Sequence, residues 1–413
     1  MITGRGILYL LILAGMGIGV AYSGLSQLYA IFLVLHLLPF LSLLQVLRLR
    51  QLISVSARLD QPLVQRLDDG SMRVDVGLSG SFMSGLIRLT ILKTGPAGTA
   101  DRERRWLAMM PGTSQHLKIR LPTVHRGTHR IVLQHLVSRD LFGLYNLPLL
   151  SGKARHLLQQ NLVVLPRLNA FDPLTRLSES LSQLQHESAW QIGTDLDTIA
   201  NIRSQQPGDS LKRAHWKLSA RLDQMMIKEF ENPRRMECLA LFDLATLPGP
   251  GFSETDYGDF FTDCAAHVCR VVLMVPCSLR AVSWQPEGRQ EVFVEPTDEA
   301  QIQFMLASLQ STDQRSADRI LAEESSQNMN ARLVILMTGR MNEAIAQQLM
   351  ALRMLQRTVC LVLILPTRTQ MPDLGSQVSR LQDGGVIVYQ AHMAEPTATA
   401  NPQPDVKGRG RAS

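Results

Sequence analysis

Two apolar runs open the chain, Ile7 to Tyr22 and Leu28 to Val46, nearly free of charge and separated by Ser23-Gly24-Leu25-Ser26-Gln27. A membrane-spanning helix needs roughly 20 apolar residues, about 17–25. The first run is slightly short and the second is sufficient. A secretory leader would end in a small-residue cleavage site before polar sequence; here a second apolar run follows at once. The pattern predicts a transmembrane helical hairpin over residues 1–50. Arg5 precedes the first run, and Arg48, Arg50 and Arg58 follow the second. Both flanks are therefore expected on the cytoplasmic side, with a short outward turn. Gly15 to Gly19 contains a GxxxG, read either as a close helix–helix contact or as ordinary glycine usage in membrane helices. It is no phosphate loop, because no strand precedes it and it lies inside an apolar span.

Beyond residue 50 the period falls to two. Ser71 to Ser79 alternates apolar and polar positions, and Leu86–Leu92, Leu117–Leu121, His129–Leu133 and Asn161–Leu165 read as further short strands. Asp69-Gly70, Gly95-Pro96 and Pro111-Gly112 punctuate them. Residues 51–170 are expected to form a small antiparallel β-sandwich. A connecting segment, 171–235, follows.

From residue 236 to 394 short apolar runs alternate with helical periods. Cys238–Phe242, Leu333–Met337, Val359–Leu365 and Val386–Tyr389 read as buried strands, with further strands near 279–284 and 291–295. Helices are expected over Asp256–Met274, Asp298–Ala322 and Asn342–Gln356. Such alternation implies a mainly parallel sheet covered by helices on both faces. Residues 395–413, rich in Pro, Ala, Thr and Gly, read as a disordered tail.

The net charge of +6 is mild for 413 residues and fits nucleic acid or anionic lipid equally. Cys238, Cys264, Cys269, Cys277 and Cys360 are odd in number, sit in apolar surroundings and form no CxxC pair. They read as reduced buried thiols, consistent with a cytoplasmic location.

Few residues suggest chemistry. His125, His129 and His135 share one strand parity, but the last lies about 20 Å beyond the second at roughly 3.3 Å per residue, too far to share an ion. Cys264 and His267 are three apart on an expected helix, without a second ligand pair. No Walker loop, GxSxG elbow or HExxH is present.

The densest stretch is RSQQPGDSLKRAHWKLSARLDQMMIKEFE, residues 203–231, with six Lys or Arg residues and a His-Trp pair. Single-strand nucleic-acid binders space several aromatics along a basic groove. Here Phe230 is the only aromatic near Trp216, and Asp209, Asp223, Glu229 and Glu231 interrupt the charge, so nucleic acid is not expected. Asp209 and His215 lie in or beside a turn and are spaced to act as acid–base partners of a hydrolase, though no nucleophile is apparent. The alternative is a rigid clasp between the soluble domains. Pro207-Gly208 would turn the chain, Asp209 would pair with Arg213 or Arg221, Trp216 would be a large apolar anchor, and the exposed basic side would face a partner.

Arg203, Pro207, Gly208, Asp209, Lys212, Arg213, His215, Trp216, Lys217, Ala220 and Arg221 stand in register with the hallmark of the bacterial domain-of-unknown-function family fifty-eight, which the chain resembles. Gln205 and Ala214 replace the usual Tyr and aliphatic residue. Arg126-Gly127, Asp140 to Leu144 and Leu165-Pro166-Arg167 match as well. The resemblance implies that 236–394 is a von Willebrand A-like α/β domain. Such domains often hold a metal ion through Asp-x-Ser-x-Ser after the first strand, with a Thr and an Asp from later loops. Here Asp243, Thr246 and Thr338 remain, but Ala245 and Leu247 carry no oxygen, and Thr338-Gly339-Arg340 lacks the Asp. No metal and no cofactor is expected, and Arg340 is placed where the cation would lie. The resemblance further implies a non-enzymatic adaptor at the bacterial inner membrane. Its partners would be a MoxR-type AAA+ ATPase and a transglutaminase-like membrane protein, in envelope maintenance or complex assembly. A hydrolase through Asp209 and His215, or a divalent-metal-dependent ligand binder, are the alternatives.

Overall fold

The computed structural model describes residues 3–23, 26–79, 86–96, 98–140, 142–149, 158–168, 199–206, 214–230, 236–246, 253–274, 277–295, 298–327, 331–366 and 372–393. Those residues divide between two compact units: 1–168 with 303–308, and 169–302 with 309–413. The expected tail, most of the connecting segment, and Pro207, Gly208, Asp209, Lys212 and Arg213 of the motif lie outside the described residues.

The first unit begins with two antiparallel helices, α1 (Gly4–Ser23) and α2 (Ser26–Leu52), both long and apolar enough to cross a membrane. They turn apolar side chains such as Leu8, Leu11, Ile12, Ile31 and Val34 outward. Pro39 lies inside α2. Proline has no N–H, so the carbonyl four residues earlier, Leu35, loses its helical donor. The Tyr9 hydroxyl of α1 donates to that carbonyl at 2.7 Å. An unsatisfied carbonyl is costly in lipid, so the tyrosine also holds the helices together. The GxxxG glycines do not make the helix contact: a Cβ on Gly15 or Gly19 would meet nothing within 4 Å, whereas one on Gly17 would lie 3.3 Å from the Phe32 ring.

At Leu52 the chain passes directly into β1 (Ile53–Leu59). β1, β3 (Ser71–Leu78) and β6 (Ser114–Arg120) form one antiparallel sheet. The second sheet runs β2 (Leu63–Gln65), β9 (Gln159–Leu165), β7 (Gly127–Arg139), β4 (Leu86–Thr94) and β5 (Ala100–Ala108), with β8 (Asn146–Pro148) beside β7. Only the β2–β9 pairing is parallel. Val74, Val76, Ile87, Leu89, Ile91, Ile131, Leu133, Leu162 and Val164 pack in one buried core, each side chain contributing about 1.5–3 kcal/mol. β5 shows no alternation in the sequence, because ADRERRWLA is an exposed strand with one buried side chain, Leu107.

His129 and His135 do not share a face of β7. The register slips between Thr90 and Ile91, which pair with His135 and Leu133, so Gln134 is the extra residue of a β-bulge. The bulge inverts the side-chain alternation: His129 is buried and His135 exposed. The His129 ring meets the His125 carbonyl through Nε2 at 2.8 Å.

The second unit contains an antiparallel pair, β10 (Ile199–Ser204) with β11 (Met226–Phe230), preceded on the β11 side by a short helix, α3 (Trp216–Leu222). Its main body is a six-stranded sheet. The order is β14 (Gly288–Val294), β13 (Cys277–Gln285), β12 (Met236–Asp243), β15 (Ala331–Thr338), β16 (Thr358–Leu365) and β17 (Ile387–His392). All pairings are parallel except β13–β14. Helices α4 (Glu254–Leu273), α6 (Ala317–Gln327), α7 (Glu343–Met354) and α8 (Pro372–Asp383) accompany it, while α5 (Glu299–Ser308) is divided between the two units after residue 302. The single helix expected over 298–322 is two helices, interrupted at 309–316. β12, β15 and β16 are almost wholly buried, which explains their continuous apolar runs.

Candidate functional site

Two features of the second unit bring polar side chains together. The first is the family-motif segment. Ala214 bridges Ile227 of β11 and both are buried. The His215 amide donates to the Met226 carbonyl at 2.8 Å. The His215 Nδ1 accepts from the Leu218 amide at 3.1 Å and so caps α3. Ser219 then ties helix to strand, its hydroxyl accepting from the Met226 amide at 2.9 Å and donating to the His215 carbonyl at 3.1 Å. At the other end Asp223 takes a left-handed conformation, φ 52°, and closes the helix. Arg203 on β10 donates to the Ser204 carbonyl at 3.2 Å.

The opposite face of α3 points to solvent. Trp216 is 63% exposed, and Lys217, Ala220, Arg221 and Leu222 are exposed too. Residues four apart lie above one another on a helix. Trp216 with Ala220 and Lys217 with Arg221 therefore make one apolar and one basic row. The expectation that Trp216 is an apolar anchor is overturned, because the inward positions belong to small residues, Ala214 and Ser219, that allow backbone-to-backbone contact. His215 is committed to capping, which weighs against its role as an acid–base partner; Asp209 lies outside the described residues, as does any clasp it makes.

The second feature sits where the strand order reverses. The chain steps from β12 to β13 on one side, then returns to place β15 on the other. Ligands of open α/β sheets bind at this point, beyond the carboxyl ends of the strands. β12 ends at Asp243 and β15 ends at Thr338, adjacent in register. The Asp243 side chain is 3% exposed. Its Oδ2 accepts from the Thr338 hydroxyl at 2.7 Å and from Arg340 Nε at 3.0 Å, while Oδ1 accepts from the Arg340 terminal nitrogen at 2.8 Å. The bidentate pair, favoured by guanidinium geometry, raises the Arg340 pKa, chiefly through its hydrogen bonds to Asp243. Arg340 also donates to the Arg315 carbonyl at 2.9 Å and to Asp313 at 3.4 Å. Asp313 in turn accepts from the Thr246 amide at 3.2 Å. Glu254 at the start of α4 accepts from the Ser311 hydroxyl and, at 3.5 Å, from that of Thr246. The Thr312 amide donates to the Leu244 carbonyl at 3.0 Å, fixing the segment between α5 and α6 over the crevice.

These residues do not fit a divalent cation. A hard ion needs free carboxylate oxygens, and both oxygens of Asp243 are taken by donors, two of them on a permanent positive charge. Asp243 accepts from both Thr338 and the Arg340 guanidinium, while Thr246 donates to Asp313, which also accepts from Arg340. The family resemblance suggested Arg340 for a cation's place; the structure shows its guanidinium paired with Asp243. Sequence reasoning missed Asp313 and Glu254, whose positions depend on the break between α5 and α6.

The cysteines and His267 are structural. All five thiols are buried; burial pushes Cys269 and Cys360 up to about 12 and Cys277 to about 11. Burial, followed by Arg270, lowers the His267 pKa.

A family model described as protein of unknown function DUF58 matches residues 201–387. No curated protein matches the chain. Among solved structures, the CARDB domain of the PF1109 protein from Pyrococcus furiosus is similar at 12% identity and a TM-score of 0.20, over 27% of this chain and 86% of that one. A cohesin module of a Clostridium perfringens family 33 glycoside hydrolase is similar at 11% and 0.20, over 27% and 96%. The sporulation control protein Spo0M from Bacillus subtilis is similar at 11% and 0.17, over 38% and 58%. At these scores the likenesses bear on neither fold nor function.

Proposed function

The chain belongs, over residues 201–387, to the DUF58 family, and from that premise we propose that it is a membrane-anchored interaction protein rather than an enzyme. Its motif helix is the docking face for a MoxR-type AAA+ ATPase. The carrying observation is the division of labour within the motif. His215 and Ser219 hold α3 on β11, whereas Trp216, Lys217, Ala220 and Arg221 face solvent. An exposed tryptophan beside two cations is the composition of an interface centre, and it suits an acidic, partly apolar surface. α1 and α2 support anchoring in the bacterial inner membrane, and the arginines after α2 support a cytoplasmic orientation. A transglutaminase-like membrane protein is a second partner of the same assembly, which serves envelope maintenance.

The sheet order, with Asp243 and Thr338 at adjoining strand ends, supports a von Willebrand A-like domain. In this chain Arg340 closes the metal position, so ligand binding through a divalent ion is disfavoured.

The test is affinity capture of the full chain from detergent extract, with ATP or a slowly hydrolysed analogue present. An AAA+ ATPase is expected in the eluate and is lost with Trp216→Ala combined with Lys217→Glu and Arg221→Glu. Capture of no ATPase under either nucleotide, or equal capture by the triple variant, would overturn the reading.

A further inference from the structure

The turn at Asp140–Leu144 has no part in the proposed docking face. Its geometry in the first unit is distinctive. The Asp140 carboxylate, on a residue 4% exposed, accepts from the Ser42 hydroxyl of α2, itself 2% exposed, and from the Tyr145 amide at 2.8 Å. Thr3, one residue before α1, donates its hydroxyl to the Gly143 carbonyl at 2.6 Å and its amide to the Leu144 carbonyl at 2.9 Å. The turn is thus hydrogen-bonded to both helices of the hairpin. Gly143 has φ +71°, and its missing Cβ would lie 2.9 Å from the Arg139 guanidinium, which packs against the turn.

Helix length fixes the depth. Ser42 is sixteen residues into α2, about 24 Å from its start at about 1.5 Å per residue. The hydrocarbon layer is about 30 Å thick. If α2 begins at the far boundary, Ser42 lies within the last turns of the span, and Asp140 is held at the same level. Val46 and Leu49, one and two turns further on, are buried. The end of α2 therefore packs on protein, and the protein rises to meet the bilayer here. Phe142, two residues from Asp140 and next to Gly143, is 53% exposed. Its neighbour Gly143 is bonded to Thr3 at the start of α1, whose outward side chains are apolar, and Arg5, Arg48 and Arg50 on the two helices are exposed near the same boundary.

Resting on the reading of α1 and α2 as a membrane anchor, we propose that this turn is a third membrane contact: the Phe142 ring enters the boundary between headgroups and acyl chains, and Arg139, with the helix-flanking arginines, meets anionic headgroups. Aromatic rings concentrate at this boundary, and basic side chains gain from anionic lipid there. Continuity with the hairpin's lipid-facing surface selects the bilayer as the occupant. The contact would fix the β-rich unit against the membrane instead of leaving it on a swivel.

The full chain is reconstituted in phosphatidylcholine–phosphatidylglycerol nanodiscs with a nitroxide attached at Phe142→Cys. The five native thiols, being buried, need no removal. Accessibility to oxygen is compared with accessibility to a water-soluble nickel chelate. Leu11→Cys in α1 is the lipid reference, and Met354→Cys, 83% exposed on α7, is the water reference. The expected oxygen-to-nickel ratio at position 142 is several-fold above that at 354 and below that at 11. A ratio equal to that at 354, or exclusion of both reagents, with position 11 still in lipid, overturns this proposal and leaves the anchor standing. An aqueous signal at position 11 removes the anchor and this proposal together. Phe142→Trp provides a second measurement, its added emission being quenched by lipids brominated near the headgroup; unquenched emission again overturns the proposal.

Discussion

Arg340 grips the carboxylate of Asp243 with two nitrogens, at 2.8 and 3.0 Å, at the point where two parallel strands diverge. The pair closes a crevice that open α/β sheets commonly use for ligands. Arg340→Ala leaves a buried carboxylate that still accepts from the Thr338 hydroxyl. Breaking a fully buried pair costs about 3–5 kcal/mol. The Arg340 side chain is 30% exposed, so a loss of about 2 kcal/mol is expected after discounting for solvent screening, read as a lower urea midpoint. Millimolar Mg²⁺ is expected to leave the melting temperature of the natural chain unchanged; a clear rise would restore the metal-dependent reading.

Within the motif, stability and docking separate. Ser219→Ala removes the side chain joining α3 to β11, and His215→Ala removes the cap; each should cost about 1 kcal/mol. Trp216→Ala, at an exposed position, should leave the melt within about 0.5 kcal/mol of the parent. A large loss of stability from Trp216→Ala would return that ring to the role of packing anchor.

In the hairpin, Tyr9→Phe deletes the donor to the Leu35 carbonyl that Pro39 leaves without a helical partner. Hydrogen bonds between membrane helices average about 0.6 kcal/mol, with an upper value of about 1.7. The upper part of that range is expected here, since Pro39 removes the i+4 amide that would otherwise donate to this carbonyl. Reversing Pro39 to Ala in the same background should restore most of the loss. Stability of the hairpin in mixed detergent micelles measures both.

Acid should weaken the β-rich unit through Glu103. Burial raises its pKa, but hydrogen bonds from Lys93, at 2.7 Å, and Arg105 outweigh burial and leave it below its ordinary 4.5. A carboxylate whose folded pKa is depressed contributes stability that is complete above the unfolded value and lost as pH falls through the folded one. The urea midpoint should therefore drop on acidification from about pH 5 toward pH 3, and Glu103→Gln should flatten that limb. An unchanged limb would show that Lys93 is held by the Arg120 carbonyl alone, its other acceptor at 2.8 Å.

The thiols offer a check on the second unit. With Cys269 and Cys360 near 12 and Cys277 near 11, thiolate is scarce at pH 8. Ellman titration of the native protein should find essentially no reactive thiol, and five in guanidinium. One or two fast-reacting groups under native conditions would expose a local opening of α4 or of the sheet.

Patterning alone determined the apolar hairpin, the β-rich stretch and the alternating strands and helices, because burial on one face or both imposes a period that a single chain displays. It also marked the motif segment; the suggestion that Arg340 stands near Asp243 came from the family resemblance, which drew attention to Ala245, Leu247 and the arginine after Thr338. Only tertiary structure decided the rest. The bulge at Gln134 turned His135 outward, yet its signature is a slip against β4, not a residue type. Trp216 became surface because Ala214 and Ser219 took the inward positions against β11. Asp313 and Glu254 joined the Asp243 crevice only when the break between α5 and α6 brought distant residues together. Periodicity records which face of an element is buried; which elements meet at a strand end depends on contacts between residues far apart in the chain.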